Sequence, residues 1–128
     1  MAQAPDKIVY RIGYLTLGVA DFPRAIAFYR DVLGLTLKFA DESFHYAQFD
    51  GVTLPFAIVG GDGHAHEGDR HTGISFAVPD IDAAYRDLSA KGVRFTMPPS
   101  KQPWGGYMAL FADPDGNVFY LDSVAAHG

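Results

Sequence analysis

The sequence predicts an α+β protein built from two consecutive βαβββ modules, on three observations. An alternating stretch, a helical run and a closing glycine recur in the same order, as IGYLTLGVADFPRAIAFYRDVLG at residues 12–34 and HTGISFAVPDIDAAYRDLSAKG at 71–92. The segments that follow also correspond, FHYAQFDGVTLPFAIV (44–59) with YMALFADPDGNVFYLDS (107–123), each an alternating run, an Asp/Gly turn and a second run. The order of elements thus repeats at about 60 residues, the mark of an internal duplication. Finally, 128 residues with 48% apolar and 20% charged side chains have the balance of a folded domain rather than a disordered one.

Each element has a local cause. In Ile12–Val19 and Gly73–Val78 apolar and small residues alternate as half-buried strands require. Asp21 followed by Pro23 starts a helix, because an Asp side chain accepts orphan amide bonds and proline needs no donor in the first turn. Ile26, Tyr29 and Leu33 then share one helical face, and Gly34 can take the left-handed conformation that ends the run. Asp80 and Gly92 repeat these parts in the second half. Thr36–Ala40, Phe44–Asp50 and Val52–Val59 complete the first module; Phe95–Met97, Tyr107–Ala112 and Asn117–Ser123 complete the second. DPDGN (113–117) reads as turn chemistry, with Gly116 and Asn117 tolerating positive φ.

One domain, residues 1–128, therefore comprises modules at about 8–59 and 71–124, joined by a Gly/His-rich loop at 60–70. A second loop, MPPSKQPWGG (97–106), carries the only tryptophan. Residues 1–7 and 125–128 are expected to fray. A module of this size buries too little surface to stand alone. The modules must pack together or onto a second chain, and a homodimer is the expectation.

Composition excludes several classes of function. The absence of cysteine removes disulfides, thiolate zinc sites and a cysteine nucleophile. A net charge of −5 disfavours nucleic acid and anionic membrane as partners and suits neutral or cationic small molecules. No run approaches the roughly 18 apolar residues of a membrane span, and MAQAPDKIVY lacks the pattern of a signal peptide, so a cytoplasmic setting is expected. Gly60, Gly61 and Gly63 do not have phosphate-loop spacing, and no Gly-x-Ser-x-Gly elbow occurs.

The segments VADFPRAIAFYRDVLGL (19–35), VPDIDAAYRDLSAKGV (78–93) and WGGYMALFADPDGNVFYL (104–121) resemble the vicinal oxygen chelate superfamily. That superfamily includes glyoxalase I, extradiol dioxygenases, fosfomycin-modifying enzymes and bleomycin-resistance proteins. The resemblance spans nearly the whole chain and implies two modules curling into an open, cup-shaped mixed β-sheet. It says little about reaction, since one fold hosts many chemistries. It also implies metal ligands, His or Glu, on the first and fourth strands of each module. Carried onto this sequence, those positions are Tyr14, Pro55, Gly73 and Tyr120. Glycine and proline have no side-chain donor, and an ordinary tyrosine is a poor ligand for divalent metals at neutral pH.

Two groups of residues compete for the site. His64, His66 and His71, beside Asp62, Glu67 and Asp69, are either a displaced metal cluster or a solvated loop. The loop is favoured, because glycine-interrupted backbone holds ligands poorly. His71 keeps the parity of Gly73 and is a candidate rim contact or acid/base. The aromatic set is more economical: Tyr14 and Tyr120 inside the cup, Trp104 and Tyr107 beside it, with Thr16, Ser75 and Asp122 sharing the cup-facing parity. The resulting expectation is a metal-free binding protein that holds an aromatic or amphipathic ligand, as in drug sequestration. The alternative is an enzyme of the lyase, isomerase or dioxygenase type. It would work either through Tyr14, Tyr120 or His71 as acid/base or through a divalent metal held at unusual positions such as His45, His64, His66 or His71.

Overall fold

The computed structural model describes residues 7–123. The expected fraying of the termini and the end of the second module at 124 lie outside them, except for Lys7, which is exposed. The first module contains β1 (Leu15–Val19), helix α1 (Phe22–Ala27) continuing into a π-helical turn (Phe28–Val32), β2 (Thr36–Asp41), β3 (Tyr46–Asp50) and β4 (Phe56–Gly60). The second contains β5 (Arg70–Val78), helix α2 (Ile81–Ala90), β6 (Arg94–Lys101), β7 (Tyr107–Ala112) and β8 (Asn117–Ser123). The sheet orders are β1-β4-β3-β2 and β5-β8-β7-β6. In each, the first strand runs parallel to the last and the remaining pairs are antiparallel. The duplication and the mixed sheets read from the sequence are both present.

The expected punctuation is found. The Asp21 carboxylate accepts from the Arg24 amide at 3.1 Å and that of Asp80 from the Ala83 amide at 3.0 Å, each closing a helix start. Gly34 and Gly92 end their helices at φ of 80° and 89°.

Four strand limits differ from expectation by three residues or more, each for a local reason. β1 starts at Leu15 rather than Ile12, because pairing with β4 begins opposite Phe56. β4 starts at Phe56 rather than Val52, since Gly51 takes φ 109° and Pro55 has no amide to donate. β5 starts at Arg70 rather than Gly73, its amide donating to the Gly116 carbonyl at 2.7 Å. β6 runs on to Lys101, through part of the expected loop. Pro98 and Pro99 fit there because β6 is an edge strand whose register skips between Met97 and Ser100.

One hydrophobic core serves both modules. The inner face of the first sheet (Leu17, Val19, Phe49, Phe56, Ile58) and that of the second (Phe111, Phe119, Leu121) are buried with Tyr29 from the π-helical turn. Phe56 of β4 meets Phe76 of β5 at 5.9 Å between ring centroids, and Tyr29 meets Phe119 edge-on at 6.3 Å. Strand alternation therefore leaves the other face of each sheet outside the core.

The modules are tied at the DPDGN turn. The Tyr29 hydroxyl donates to Asp113 Oδ2 at 2.7 Å, and Asn117 Nδ2 donates to the same oxygen at 2.9 Å. Asp113 Oδ1 accepts the amides of Asp115 and Asn117. Asn117 is itself buried and does not take positive φ, contrary to expectation; Gly116 alone does, at 86°. The Asn117 side chain is held instead by Arg70 at 2.8 Å and by the Gly18 carbonyl at 3.3 Å. Across the same seam, Ala20 donates its amide to Asp115 Oδ1 at 3.1 Å.

Burial, then the neighbouring Asp113 charge, pushes the Tyr29 hydroxyl pKa well above its usual value. Tyr29→Phe is expected to lower unfolding free energy by about 2 kcal/mol, measured by urea titration at neutral pH. Because the folded protein keeps the Tyr29 proton while the unfolded chain loses it, this contribution is full below the ordinary tyrosine pKa and declines as pH rises through it. The gap between wild type and variant should therefore narrow from about pH 9 to pH 11.

Candidate functional site

On the second sheet, Phe76, Phe111, Phe119 and Leu121 are spent on the core. Their strand neighbours form the opposite face. Ser75 pairs with Tyr120, Tyr120 with Leu110, and Leu110 with Met97, a single row across all four strands. Asp122 lies one step further along β8 and Met108 one step back along β7. Together with Gln102 and Trp104 these residues line an open hollow of about 630 Å³, within the range of small-molecule pockets.

The hairpin between β6 and β7 forms one wall. The Gln102 amide donates to the Gly106 carbonyl at 2.6 Å, the Gly105 amide returns to the Gln102 carbonyl at 2.9 Å, and Gly105 takes φ 95°. Trp104 sits at the tip of this tight loop, 74% exposed. A Cβ added at Gly106 would lie 2.8 Å from Trp104 Nε1, so the absence of a side chain there seats the indole. Gln102 Nε2 donates to the Ser100 carbonyl at 3.1 Å and to Met97 Sδ at 3.9 Å, which fixes the amide and leaves its oxygen as an acceptor.

The structure thus brings Ser75, Trp104, Tyr120 and Asp122 together and adds Met97, Gln102, Met108 and Leu110. The signal for the additions was present in YMALFA: with Ala109 and Phe111 in the core, Met108 and Leu110 must lie on the other face. The same parity removes Tyr107 from the hollow. Its hydroxyl instead donates to Asp82 Oδ1 on α2 at 2.5 Å, and that hydrogen bond raises its pKa.

The first-module candidates do not reach this hollow. Tyr14 precedes β1 and is 66% exposed. Thr16 is exposed opposite Ala57. Pro55 is exposed and contributes its carbonyl to the Leu15 amide at 3.0 Å. Gly73 takes φ 75° inside a bulge where β5 advances from His71 to Ser75 while β8 advances only from Val118 to Tyr120. Thr72 secures that bulge, its hydroxyl donating to the Val118 carbonyl at 2.8 Å and accepting the Ile74 amide at 3.0 Å. His71 pairs with Val118, is itself exposed and does not line the hollow.

The histidine-rich segment is organised by packing. The His64 ring lies against Gly18, and His66 lies beside Gly116. Arg94 donates to both oxygens of Asp69, at 3.1 and 2.7 Å, and this hydrogen bonding holds the Asp69 carboxyl below its usual pKa. Among the described residues, no three His, Cys, Asp or Glu side chains are grouped so that they could hold a metal ion. Tyr14, Pro55, Gly73 and Tyr120 offer phenol oxygens and no other side-chain donor, which does not fit a divalent metal.

A recess of similar volume, about 630 Å³, lies between the modules among Leu15, Leu54, Phe56, Ile74 and Phe76. Its only polar side chains are those of Thr53 and Ser75, so it has little with which to orient a ligand.

The model of the Glyoxalase/Bleomycin resistance protein/Dioxygenase superfamily matches residues 11–121. The chain belongs to this superfamily. Among its relatives, YraH of Bacillus subtilis (strain 168) is 32% identical over 119 residues, covering 84% of this chain and 93% of that protein. A crystal structure of a superfamily member from Sphaerobacter thermophilus DSM 20745 superposes with a TM-score of 0.74 at 32% identity, covering 90% of this chain and 98% of that one. The fosfomycin resistance protein FosX from Listeria monocytogenes has a TM-score of 0.76 at 21% identity, covering 91% and 93%. This last likeness concerns the fold alone. No helix among the described residues is long and apolar enough to cross a membrane.

Gly106→Ala is expected to displace the Trp104 indole. The single-tryptophan emission should shift, with little change in thermal unfolding midpoint, because the clash falls on an exposed side chain. Unchanged emission would mean that the indole does not rest over Gly106.

Proposed function

We propose that this superfamily member is a metal-free binding protein that holds an aromatic or amphipathic small molecule in the hollow of its second module. The observation that carries the reading is the composition of that hollow. Met97, Trp104, Met108 and Leu110 give it apolar and aromatic walls, and Ser75, Gln102, Tyr120 and Asp122 give it a few placed polar groups. Such a lining binds and orients. Converting the ligand would need either a metal, for which no donor set is assembled among the described residues, or a general acid/base, for which Tyr120 is the one of the three candidates that lines the hollow.

The binding unit is a homodimer in this reading. Tyr14, Phe39 and Phe44, at 66%, 46% and 78% exposure, are large apolar side chains that a second copy can cover. The expected soluble species in analytical ultracentrifugation is twice the chain mass, at a cytoplasmic location.

Acridine, a neutral planar probe, tests the binding. It is expected to quench Trp104 fluorescence saturably, and Leu110→Asp should abolish the effect. Tyr120→Phe should weaken acridine binding by no more than about 1 kcal/mol. Tag-free protein equilibrated with Zn²⁺, Mn²⁺ and Ni²⁺ should retain less than about a tenth of an equivalent after removal of excess metal. Absence of saturable quenching overturns the binding site; retention near one equivalent overturns the metal-free reading.

A further inference from the structure

Residues 8–14 read IVYRIGY, in which Ile8, Tyr10, Ile12 and Tyr14 alternate with Val9, Arg11 and Gly13 as they would along a strand. Yet β1 begins only at Leu15, because β4 begins opposite it at Phe56 and Pro55 has no amide to donate. The seven residues before Leu15 thus carry strand-type sequence but are in no strand. Ile8, Val9, Tyr10, Ile12 and Tyr14 are between 61% and 82% exposed. So much apolar surface on one short segment marks a contact site.

We infer that this arm is exchanged between two copies of the chain. Residues 8–14 of each copy lie in the recess between the modules of the other and add a strand to the free edge of β5. The inference rests on the dimeric reading above and names the segments that hold the dimer.

The recess suits such an occupant. β1 and β5 are end strands of their sheets, so each leaves one edge unpaired. Leu15 of β1 and Ile74 and Phe76 of β5 both line the recess, together with Leu54 and Phe56. The scarcity of polar side chains that leaves it unable to orient a small ligand is what an apolar strand face requires. β5, at nine residues, is the longest strand described, and a long open edge is a template for a further strand.

The arm fits the recess of a second copy better than its alternatives. It runs on from Leu15 at the wall of its own recess, but none of its residues lines that recess. Pairing arm to arm would give a two-stranded ribbon, which is marginal in water, whereas joining β5 extends a four-stranded sheet. Covering the face of Ile8, Tyr10, Ile12 and Tyr14 leaves Arg11 on the other face, in water. A tyrosine buries about 150–250 Å². An arm given and a recess covered therefore bring each copy to the order of the roughly 800 Å² that a stable interface takes from each partner. Reciprocal exchange also closes on itself about a two-fold axis.

Sedimentation velocity of the full chain at micromolar concentration tests the arm. Wild type is expected to sediment as a dimer and Tyr10→Lys/Ile12→Lys as a monomer, with its circular dichroism kept because both side chains lie outside the core. The milder Tyr10→Ser/Ile12→Ser should raise the dimer dissociation constant at least about 100-fold. The recess is tested separately. The chain has no cysteine, so Ala77→Cys places a single exposed thiol on β5 beside the recess. Iodoacetamide should alkylate it at least about tenfold more slowly with the arm intact than in the Tyr10→Lys/Ile12→Lys background.

A monomeric wild type overturns the dimeric reading and this inference together. A dimer that survives both arm variants overturns the inference alone. Equal alkylation rates in the two backgrounds overturn the placing of the arm on β5.

Discussion

A single buried carboxylate governs how the two halves of this protein meet. Asp113 is 3% exposed, and a carboxylate so placed costs several kcal/mol unless its oxygens are satisfied. Two backbone amides from its own turn, the Asn117 amide nitrogen and the Tyr29 hydroxyl supply the bonds. The first three donors are local and shape the turn. The fourth comes from the other module, so the turn is fully satisfied only when the first module is docked. Asn117 then passes the constraint to Arg70 and Gly18, fixing the start of β5 against the end of β1.

The location of the site follows from that docking. Aromatic side chains from both modules fill the shared interior, where Tyr29, Phe56, Phe76 and Phe119 form a closed ring of four contacts. A strand has only two faces, so committing one to the interior leaves the other free. On the second sheet that free face carries Ser75, Tyr120, Leu110 and Met97 in one row, and the tight Gln102–Gly106 loop raises a tryptophan beside it. The hollow is thus a by-product of building the core from the opposite faces.

What could be read from the sequence was whatever local chemistry decides. The Asp caps, the glycine helix ends and the repeated order of elements all announced themselves, because each depends on a few adjacent residues. Tyr120 was legible through the family resemblance, Ser75 and Asp122 through strand parity, and Trp104 through its unusual loop. Tyr107 was named for its place beside the loop that carries Trp104, and Met108 and Leu110 were missed because no parity was assigned on β7, where a step of one residue exchanges the faces. The gathering of Tyr14, Thr16 and Pro55 with the second-module residues depended on how the modules sit together, which no local pattern encodes. DPDGN was read as a turn and no more; that Asn117 is a buried anchor needed the distant Arg70 and Gly18 to be in view.

The bulge at Gly73 bears on what substitution could do at that position. This position corresponds to one at which metal-binding relatives are expected to present a ligand, and here the backbone is left-handed, with two extra residues between His71 and Ser75. Writing a histidine into that codon would not recreate a ligand, because a side chain at this φ is strained and its direction is set by the bulge. The two residues would have to be deleted as well, and Thr72 released from its carbonyl on β8. A metal site using this position would therefore need a change of chain length as well as a side-chain donor in place of Pro55, two changes that a single substitution cannot supply.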